Sequence, residues 1–583
     1  MNNKQKIYFF SEKDVEGNKD MFSLLGGKGA NIAEMCSLKL PVPPGFTITT
    51  EECVSYLKEK KLSPALKRDI EKNIKKVESV SGKLFGGDDP LLLSVRSGAP
   101  VSMPGMMETV LNIGLTQKTI PLLIKKTKNE KFVYDSYRRF IMMYSDVVME
   151  KGLRKNKTGQ PIRDQMEKLL DQMKKKNGYK NDSAVSSESW EGLAKQYLSL
   201  YEKTFNEQFP EDHTEQLHGA VRAVFSSWNG KRAKEYRAFE KIPSNMGTAV
   251  NVQAMVFGNM GTGCGTGVAF TRNPSSGDKS FYGEWLENAQ GEDVVAGVRT
   301  PHPILKKDGS ENSLEHVLPK AFKELNTIRT KLEKHFMDMQ DIEFTVENKK
   351  LWMLQTRRGK RTGMASIKIV TDMVKEKLIT KKEALSRVQP AQIYESLLKN
   401  IKPDSLLENS SISSGLPAGP GASSGSVVFS AEKAEALGKK GRKIILIREE
   451  TSPEDIHGMH YSEGILTSRG GLTSHAALVA RGWGKSCVVG CQDLSIDKRR
   501  RSATIGTHKI KEGDNITLNG STGEIFLGKL PLFQNSMENS QSLSLLLGWA
   551  DDVRKLKIRT NADTPEDCEK ALGFGAEGIG LCR

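Results

Sequence analysis

The sequence lacks any apolar run close to the roughly 20 residues that a membrane-spanning helix needs, which predicts no membrane contact. Its first residues, MNNKQKIYFFSEKD, have no apolar signal-peptide core and contain acids, which transit peptides avoid. The seven cysteines form no CxxC pair and no Cys/His metal spacing, so reduced thiols are expected rather than disulfides. Together these absences predict a soluble, cytoplasmic protein.

Aromatic residues are also few, at 7%, but hydrophobic residues at 37% suffice for ordinary cores. A chain of 583 residues should form three or more domains, because single cores stop growing near about 250–300 residues. The net charge is +16, and basic runs lie at Lys125–Lys131, Lys174–Lys180, Lys439–Lys443 and Lys498–Arg501. These runs lack interleaved aromatics, which favours solvated faces over a nucleic-acid surface.

The pattern of apolar residues changes along the chain. Strand-like and helical pieces alternate over the first 115 residues, and amphipathic helices follow from Gln117 to about Phe209. That change predicts a helical insertion. From Gly247 to Arg357, period-2 alternation and glycine-rich turns predict strands.

A compact domain is predicted at 411–527. Strands are expected at KIILIRE, GILTS, SCVVG and NITLNG, with one alanine-rich helix at SHAALVARG. Gly520-Ser-Thr-Gly523 predicts a hairpin turn before EIFL. After Asp551, KIRTNAD predicts a strand, TPEDCEKALGFG a helix and GIGLCR a second strand, which would form one βαβ unit.

A glycine-rich segment, Gly258–Gly267, holds five glycines in ten residues. Glycines let backbone N–H groups approach a phosphate closely. The spacing does not match GxGxxG, and the following VAFTRNP predicts a strand, which disfavours a dinucleotide-binding fold. One interpretation is a flap of two strands, VNVQAMVFGN and GVAFTRNP, that closes over phosphates. The other is a flexible hairpin.

Two predicted strands carry polar residues on one face. Asp341 and Glu343 alternate with apolar residues, and after an ENKK turn LWMLQTR places Gln355 and Arg357 on one face. Two carboxylates two residues apart suit Mg²⁺, which binds one or two carboxylates together with phosphate oxygens. An arginine alongside suits phosphate charge. A solvent-exposed hairpin face is the open alternative.

Lys28 and Arg96 each stand in a tight glycine setting, GGKG and SVRSG. Neither segment matches the phosphate-loop pattern GxxxxGK[ST]. Each alone indicates a turn more readily than a phosphate contact.

The strongest chemical signal is the segment SRGGLTSHAALVAR around His475. The predicted strand GILTS leads through a diglycine turn to Thr473 and Ser474, which are good N-cap residues. His475 would then lie in the first turn of a helix, where a phosphate meets free backbone N–H groups. A neutral imidazole is a competent nucleophile near pH 7. A capping or packed histidine is the alternative, and the diglycine, the caps and the flanking arginines favour the phosphate carrier.

GGLTSHAALVARG closely resembles the phosphohistidine signature of the phosphoenolpyruvate-utilising enzymes. Other segments resemble the nucleotide-grasping domain of the pyruvate, phosphate dikinase family: LLGGKGANIAEM, SVRSGAPVSMPGMMETVLNIGL, GNMGTGCGTGVAFTRNP, NAQGEDVVAGVRTP and MQDIEFT with LQTRRGKRT. The segment PGMMETVLN favours this family over the pyruvate, water dikinases. The resemblance covers essentially the whole chain.

The resemblance implies a multidomain α/β (α+β) fold. It implies an ATP-grasp domain with a helical insertion, then a swivelling phosphohistidine β/β/α domain, then the start of a truncated TIM barrel. A complete barrel needs roughly 250 residues. The implied divisions are 1–115 and 206–357 (ATP-grasp), 116–205 (insertion), 358–410 and 528–550 (linkers), 411–527 (phosphohistidine domain) and 551–583 (barrel start).

Site residues follow from the resemblance in the same way. Nucleotide, Mg²⁺ and phosphate contacts would be Lys28, Arg96, Gly261, Gly265, Glu292, Asp293, Asp341, Glu343, Gln355 and Arg357. Asp341 and Glu343 would hold the Mg²⁺. His475 would be the phosphoryl carrier, assisted in catalysis by Lys28, Arg96 and Arg357. Thr473 matches a position that is phosphorylated in plant relatives.

The implied half-reaction converts ATP, phosphate and His475 into phospho-His475, AMP and diphosphate through a pyrophosphorylated histidine. Arg583 resembles the first arginine of the family's phosphoenolpyruvate site. Pyruvate and phosphoenolpyruvate would therefore be partners only if a barrel is supplied, and the family's dimer contacts would be missing. The alternative is a non-catalytic nucleotide-binding paralogue, or a chain that interferes with a full-length partner.

Overall fold

The computed structural model describes residues 5–101, 103, 106–153, 159–179, 182–239, 241–291, 293, 301–306, 311–471, 474–497, 500–534 and 540–582. The chain divides into two compact units, Met1–Thr271 with Phe281–Gly359 and Arg272–Ser280 with Lys360–Arg583. Both mix helices and strands, which confirms the predicted mixed α/β, multidomain class. No helix in the described ranges combines the length and apolarity that a bilayer span requires.

The first unit contains two five-stranded antiparallel sheets. The first sheet has the order β1-β2-β5-β3-β4, with strands β1 Ile7–Phe10, β2 Gly45–Ile48, β3 Leu93–Gly98, β4 Thr109–Ile113 and β5 Ala249–Ala254. The second has the order β10-β9-β6-β7-β8, with β6 Gly265–Phe270, β7 Tyr282–Glu287, β8 His302–Pro303, β9 Gln340–Glu347 and β10 Lys350–Arg358.

The helices of this unit cover both sheets. They span Phe22–Ser37, Thr50–Glu59, Pro64–Ser81, Thr119–Thr127, Glu130–Met143, Ile162–Asn177, Ser187–Phe205, His213–Ser227, Lys231–Phe239, Leu314–Val317 and Pro319–Phe336, with a π-helix at Tyr144–Gly152. The helices of the predicted insertion share one apolar core with the first sheet, whereas Pro319–Phe336 packs on the second. The helix Glu130–Met143 shows the reason, since Phe132, Val133, Tyr137, Phe140 and Ile141 form a buried apolar stripe on one face.

The glycine-rich segment joins two strands as predicted, but the alternative of a hairpin is wrong, and closure of the segment over phosphates stays a prediction. Its two strands, β5 and β6, do not pair with each other, since β5 lies between β2 and β3 and β6 lies between β9 and β7. The alternating pattern located both strands correctly, but it holds no information about which partner each strand takes. The glycine-rich segment is therefore the connection between two sheets.

The second unit is built on one large sheet. Its order is β12-β22-β21-β14-β15-β16-β17-β13, and β14 to β17 run parallel. The strands are β12 Ser413–Ser414, β13 Leu416–Gly419, β14 Ala422–Val428, β15 Ile444–Arg448, β16 Gly464–Thr467, β17 Ser486–Val489, β21 Asn515–Asn519 and β22 Glu524–Leu527. This confirms the strands predicted at KIILIRE, GILTS, SCVVG and NITLNG, and the hairpin before EIFL.

Helices and a small sheet flank these strands. A three-stranded sheet holds β18 Leu494–Asp497, β19 Ser502–Ile505 and β20 His508–Lys511, and helices span Ala431–Gly438, Ile456–Tyr461 and His475–Gly482. The parallel strands bury both faces, with Ile445 on one face and Leu446 on the other. The His475–Gly482 helix packs on the Leu446 face through its alanines. Small alanines let this helix lie close to the sheet.

The two segments predicted as linkers contain regular structure. Helices span Gly363–Lys375, Lys381–Arg387, Pro390–Leu397, Pro403–Glu408 and Gln541–Val553. Strand β11 (Lys399–Ile401) pairs antiparallel with β23 (Leu532–Gln534), so the two predicted linkers form one small sheet. The domain boundaries inferred from the resemblance stay a prediction.

The βαβ unit predicted after Asp551 forms only in part. Its helix is present at Pro565–Gly573, but the two predicted strands are reduced to one parallel bridge, Thr560 to Ile579. Parallel strands are stable where helices cover both faces of a larger sheet. Here the apolar side chains stay exposed, including 82% of Leu556 and 66% of Phe574.

Candidate functional site

Lys28 and Arg96 come together because two glycines allow a close approach. Helix Phe22–Ser37 is kinked at Gly26, whose φ of 67° and ψ of 167° lie outside the helical range. A Cβ on Gly26 would fall 1.6 Å from the carbonyl oxygen of Gly98, at the end of β3. Only glycine permits this contact. The helix that carries Lys28 therefore rests on the strand that carries Arg96.

The surroundings of Lys28 are electropositive. Burial, together with the charges of Arg96 and Arg357, lowers the pKa of Lys28 from 10.5 to about 8, while Glu343 opposes this shift. Burial and like charges both disfavour the ammonium form. A polyphosphate would relieve this repulsion, so the structure brings three of the predicted phosphate-binding cations to one place in the first unit.

Asp341 and Arg357 lie on adjacent strands of the second sheet. The register pairs Asp341 with Arg357 and Glu343 with Gln355, after a bulge between Met353 and Gln355. The Arg357 Nε donates to the Asp341 Oδ2 over 2.6 Å. Burial raises the pKa of Asp341 even against the arginine, and the Asp341 carboxylate raises the pKa of Arg357 despite its burial.

The carboxylates fit a divalent cation. Asp341 is 5% exposed, and its second oxygen, Oδ1, is buried without a hydrogen-bond donor among the described residues. A buried carboxylate oxygen without a donor is costly unless a cation or proton compensates it. Within the described ranges, no group of three or more His, Cys, Asp or Glu side chains is arranged to hold a metal ion without other ligands. Two carboxylates with phosphate oxygens are a set that Mg²⁺ accepts.

The glycine-rich segment is held by hydrogen bonds of its own. The Gly261 N–H donates to the Asn288 Oδ1 over 3.0 Å, and the Asn288 N–H donates to the Cys264 carbonyl over 2.9 Å. Gly265 lies within β6, where a Cβ would fall 2.8 Å from the Trp285 ring. These contacts give both glycines structural roles, and their assignment as nucleotide contacts stays a prediction.

Asp293 is engaged on both oxygens. Its Oδ1 accepts from Arg139 Nη1 and its Oδ2 accepts from the Gln290 N–H, each over 3.0 Å. Arg139 also forms ion pairs with Asp135 and Asp182, and these carboxylates raise its pKa despite burial. Sequence reasoning missed Arg139, although Asp135 at i−4 on a predicted amphipathic helix was a signal for it. Glu292 lies outside the described residues.

His475 follows the carboxyl end of β16. The chain turns through Gly470, whose φ is 104°, and enters the helix His475–Gly482. The Ser474 Oγ accepts from the Ala477 N–H over 3.4 Å, which confirms the predicted N-cap. The imidazole therefore lies at the positive end of a helix, where backbone N–H groups lack intrahelical partners. Thr473 lies outside the described residues.

Thr451 contacts the imidazole and was missed by sequence reasoning. Its Oγ1 lies 3.0 Å from the His475 Nδ1. Thr451 follows β15, the parallel neighbour of β16, and the carboxyl ends of parallel strands meet at one edge of a sheet. The adjacency of parallel strand ends could therefore have indicated from the sequence that Thr451 lies close to His475. With the proton on Nδ1 and donated to Thr451, the other ring nitrogen, Nε2, keeps its lone pair.

Three family models match the chain in consecutive stretches. The model described as pyruvate phosphate dikinase, AMP/ATP-binding domain, matches residues 22–83, 62–321 and 306–378. The mobile domain of the PEP-utilising enzymes matches 441–523, and their PEP-binding domain matches 537–583. The first of these covers more than half of the chain and includes Lys28, Arg96, Asp341 and Arg357, and the second includes His475.

Several full-length proteins that are similar to this chain are named pyruvate, phosphate dikinase. A pyruvate, phosphate dikinase of Clostridium symbiosum is 50% identical over 574 residues, which are 98% of this chain and 64% of that protein. One of Rhizobium meliloti is 48% identical over 584 residues, covering 99% of this chain and 64% of its own length. A chloroplastic one of Zea mays is 48% identical over 582 residues, with shares of 100% and 59%. The chain thus spans about three-fifths of the length of these relatives.

Proposed function

Because the chain belongs to the pyruvate, phosphate dikinase family, we propose that it phosphorylates its own His475 from ATP and inorganic phosphate. The ATP site lies in the first unit, which has an ATP-grasp fold, and His475 lies in the second unit. The hydrogen bond between Thr451 and His475, at the start of a helix within the mobile-domain match, carries this proposal.

In the first unit, Lys28, Arg96 and Arg357 bind the phosphates of ATP, and Gln355 lies beside them. Asp341 and Glu343 hold Mg²⁺, which neutralises phosphate charge when bound. Catalysis then consists mainly of positioning and charge neutralisation, as in other phosphoryl transfers. The buried Asp341 Oδ1, which has no hydrogen-bond donor in the described part of the chain, and the lowered pKa of Lys28 support this assignment.

The chemistry needs two displacements at phosphorus. The His475 Nε2 attacks the β-phosphorus of ATP, the bond from that phosphorus to the bridging oxygen of AMP breaks, and a pyrophosphoryl group stays on the histidine. Inorganic phosphate then attacks the γ-phosphorus, the bond from that phosphorus to the oxygen bridging it to the β-phosphorus breaks, diphosphate leaves, and phospho-His475 remains. The Thr451 Oγ1 accepts a hydrogen bond from the Nδ1–H throughout, which keeps Nε2 the nucleophile.

The test measures AMP release and acid-labile protein phosphate when the chain is mixed with ATP, Mg²⁺ and phosphate. Wild type should form one AMP and one phosphohistidine per chain. The His475→Asn variant should form neither, and the matched variant His460→Asn, on another helix of the same unit, should behave as wild type. Absence of both products from folded wild type would refute the proposal.

We propose the whole reaction, ATP + pyruvate + phosphate giving AMP, phosphoenolpyruvate and diphosphate, only together with a complete phosphoenolpyruvate-binding domain. Residues 537–583 match the model of that domain. The relatives all carry the name of the enzyme, which does not favour the alternative of a non-catalytic nucleotide-binding paralogue. Regulation at Thr473, the swivelling of the second unit and a cytoplasmic location stay predictions.

A further inference from the structure

The proposed ATP site draws its residues from two different sheets. Arg96 belongs to the first sheet, and Asp341 and Arg357 belong to the second. The two sheets are connected through the glycine-rich segment and not through shared strands. One element that touches both is the kinked helix Phe22–Ser37, which carries Lys28. The distance between the two sets of ligands therefore depends on how this helix is fixed.

A buried side-chain hydrogen bond fixes the helix to the second sheet. Asn31 is 8% exposed and lies three residues after Lys28, so both side chains leave the same face of the helix. The Asn31 Nδ2 donates to the backbone carbonyl of Thr356 over 3.0 Å. Thr356 stands between Gln355 and Arg357 in β10. The amide thus contacts the backbone that carries Arg357, a proposed phosphate ligand, and its neighbour Gln355.

The acceptor side of this contact is rigid. Thr356 is 0% exposed, and its Oγ1 donates to the Gln340 Oε1 over 3.2 Å. Gln340 is itself buried, and its N–H donates to the Thr271 Oγ1 over 3.0 Å. Because the Thr356 carbonyl is held in place, the hydrogen bond from Asn31 fixes the helix relative to β10. Neither element can move without breaking a buried hydrogen bond.

We propose that Asn31 is a positioning residue that holds Lys28 and Arg357 at the separation needed to bind one polyphosphate between them. This inference rests on the proposed function. Lys28 and Arg357 already interact electrostatically, since the charge of Arg357 lowers the pKa of Lys28. A ligand that bridges the two cations depends on their spacing, and a displacement of about 1 Å in such a site can cost on the order of 100-fold. A ligand with a single phosphate contacts only one of the two cations, so its affinity does not depend on the spacing between Lys28 and Arg357.

The chain offers a matched control. Asn73 is 7% exposed, and its Nδ2 donates to the Asp69 carbonyl over 2.8 Å within the helix Pro64–Ser81. Asn73 thus makes the same kind of buried bond as Asn31 but joins no two parts of the proposed site. If Asn31 only stabilises the fold, Asn31→Asp and Asn73→Asp should have the same consequences.

The experiment measures dissociation constants for Mg²⁺-ATP and for AMP by calorimetry on the full chain. Asn31→Asp keeps the size of the side chain but removes the donor and adds a charge, so the uncharged Asn31→Leu is measured beside Asn31→Asp and must give the same result. We expect its ATP dissociation constant to rise about tenfold or more and its AMP constant to change less than about twofold. Asn73→Asp should leave both constants near wild type. Thermal unfolding of all variants checks that each is folded, and Asn31→Ser replaces Asn31→Asp if the latter is not.

Equal weakening of ATP and AMP in Asn31→Asp, or the same ATP affinity as Asn73→Asp, would overturn the inference. So would ATP affinity that is unchanged from wild type. Failure of the proposed function has a different signature, because wild type would then bind ATP and yet form no phosphohistidine.

Discussion

Arg357 and Asp341 face each other across two antiparallel strands, with the arginine Nε 2.6 Å from one carboxylate oxygen, while the other carboxylate oxygen has no donor among the residues that the structure describes. The arginine therefore orients a carboxylate whose second oxygen remains open for a cation. A second ion pair of the same kind lies close by in the sequence: the Arg358 Nε is 2.6 Å from the Asp338 Oδ2.

These two pairs give the first prediction. Asp341→Asn should lower the rate of His475 phosphorylation by about 100-fold or more. It should also raise the Mg²⁺ concentration needed for half-maximal rate, because a negatively charged ligand of the cation is lost. The rate is measured at a series of Mg²⁺ concentrations. Arg358→Gln breaks the neighbouring pair and should stay within about twofold of wild type. An equal loss of phosphorylation rate in both variants would show that Asp341 contributes only to the structure of the β9–β10 hairpin and not to cation binding.

The pKa of Lys28 predicts how ATP binding depends on pH. Burial and the charge of Arg96 hold the pKa of Lys28 at about 8 instead of 10.5. Lys28 is therefore mostly charged below pH 8 and mostly neutral above it. Phosphates bind the charged form, so ATP affinity should fall above pH 8 by at most about tenfold per unit. Calorimetric titrations from pH 7 to pH 9.5 measure this fall. Lys28→Arg keeps its charge, and the same fall in that variant would rule out Lys28 as its source.

Thr451 should control the reactivity of His475 rather than ATP binding. Thr451→Val keeps the shape of the side chain but removes the hydroxyl 3.0 Å from the His475 Nδ1. Phosphorylation should slow about 10- to 100-fold, since the tautomer with a free Nε2 loses its hydrogen bond. Thr451→Ser should recover most of the rate. Unchanged kinetics in Thr451→Val, measured by rapid quench, would remove Thr451 from the mechanism.

Gly26 and Gly82 test the close packing beneath Lys28. Both have positive φ angles, 67° and 71°, but a Cβ at Gly26 would lie 1.6 Å from a carbonyl oxygen, whereas a Cβ at Gly82 would have no atom of the described residues within 4 Å. Gly82→Ala should cost only the left-handed strain of about 1–2 kcal/mol. Gly26→Ala should lower the unfolding midpoint further and abolish ATP binding, as measured by thermal melts and calorimetry. Similar behaviour of the two variants would contradict the proposed packing.

Much of this site could be predicted locally. Alternation placed Asp341 and Glu343 on one face and Gln355 and Arg357 opposite them, and the register confirms that arrangement. The N-cap at Ser474 was also local, because a helix start depends on a few consecutive residues. Predictions of this kind need no knowledge of tertiary contacts.

Other features depend on partners far away in the sequence. The pairing of β5 and β6 with different sheets, the contact of Thr451 with His475 and the ion pair of Arg139 with Asp293 all join distant segments. The strands predicted after Asp551 failed for a related reason, since β-propensity alone does not form a parallel sheet without neighbours.

His475 should receive the β-phosphate of ATP and not the γ-phosphate. The most direct measurement compares protein-bound label from ATP labelled at the β-phosphate with that from ATP labelled at the γ-phosphate, in the presence of Mg²⁺ and phosphate. After diphosphate has been released, only the β-label should remain, as an acid-labile phosphate on the peptide that contains His475. Retention of the γ-label, or a label that persists in His475→Asn, would contradict the account.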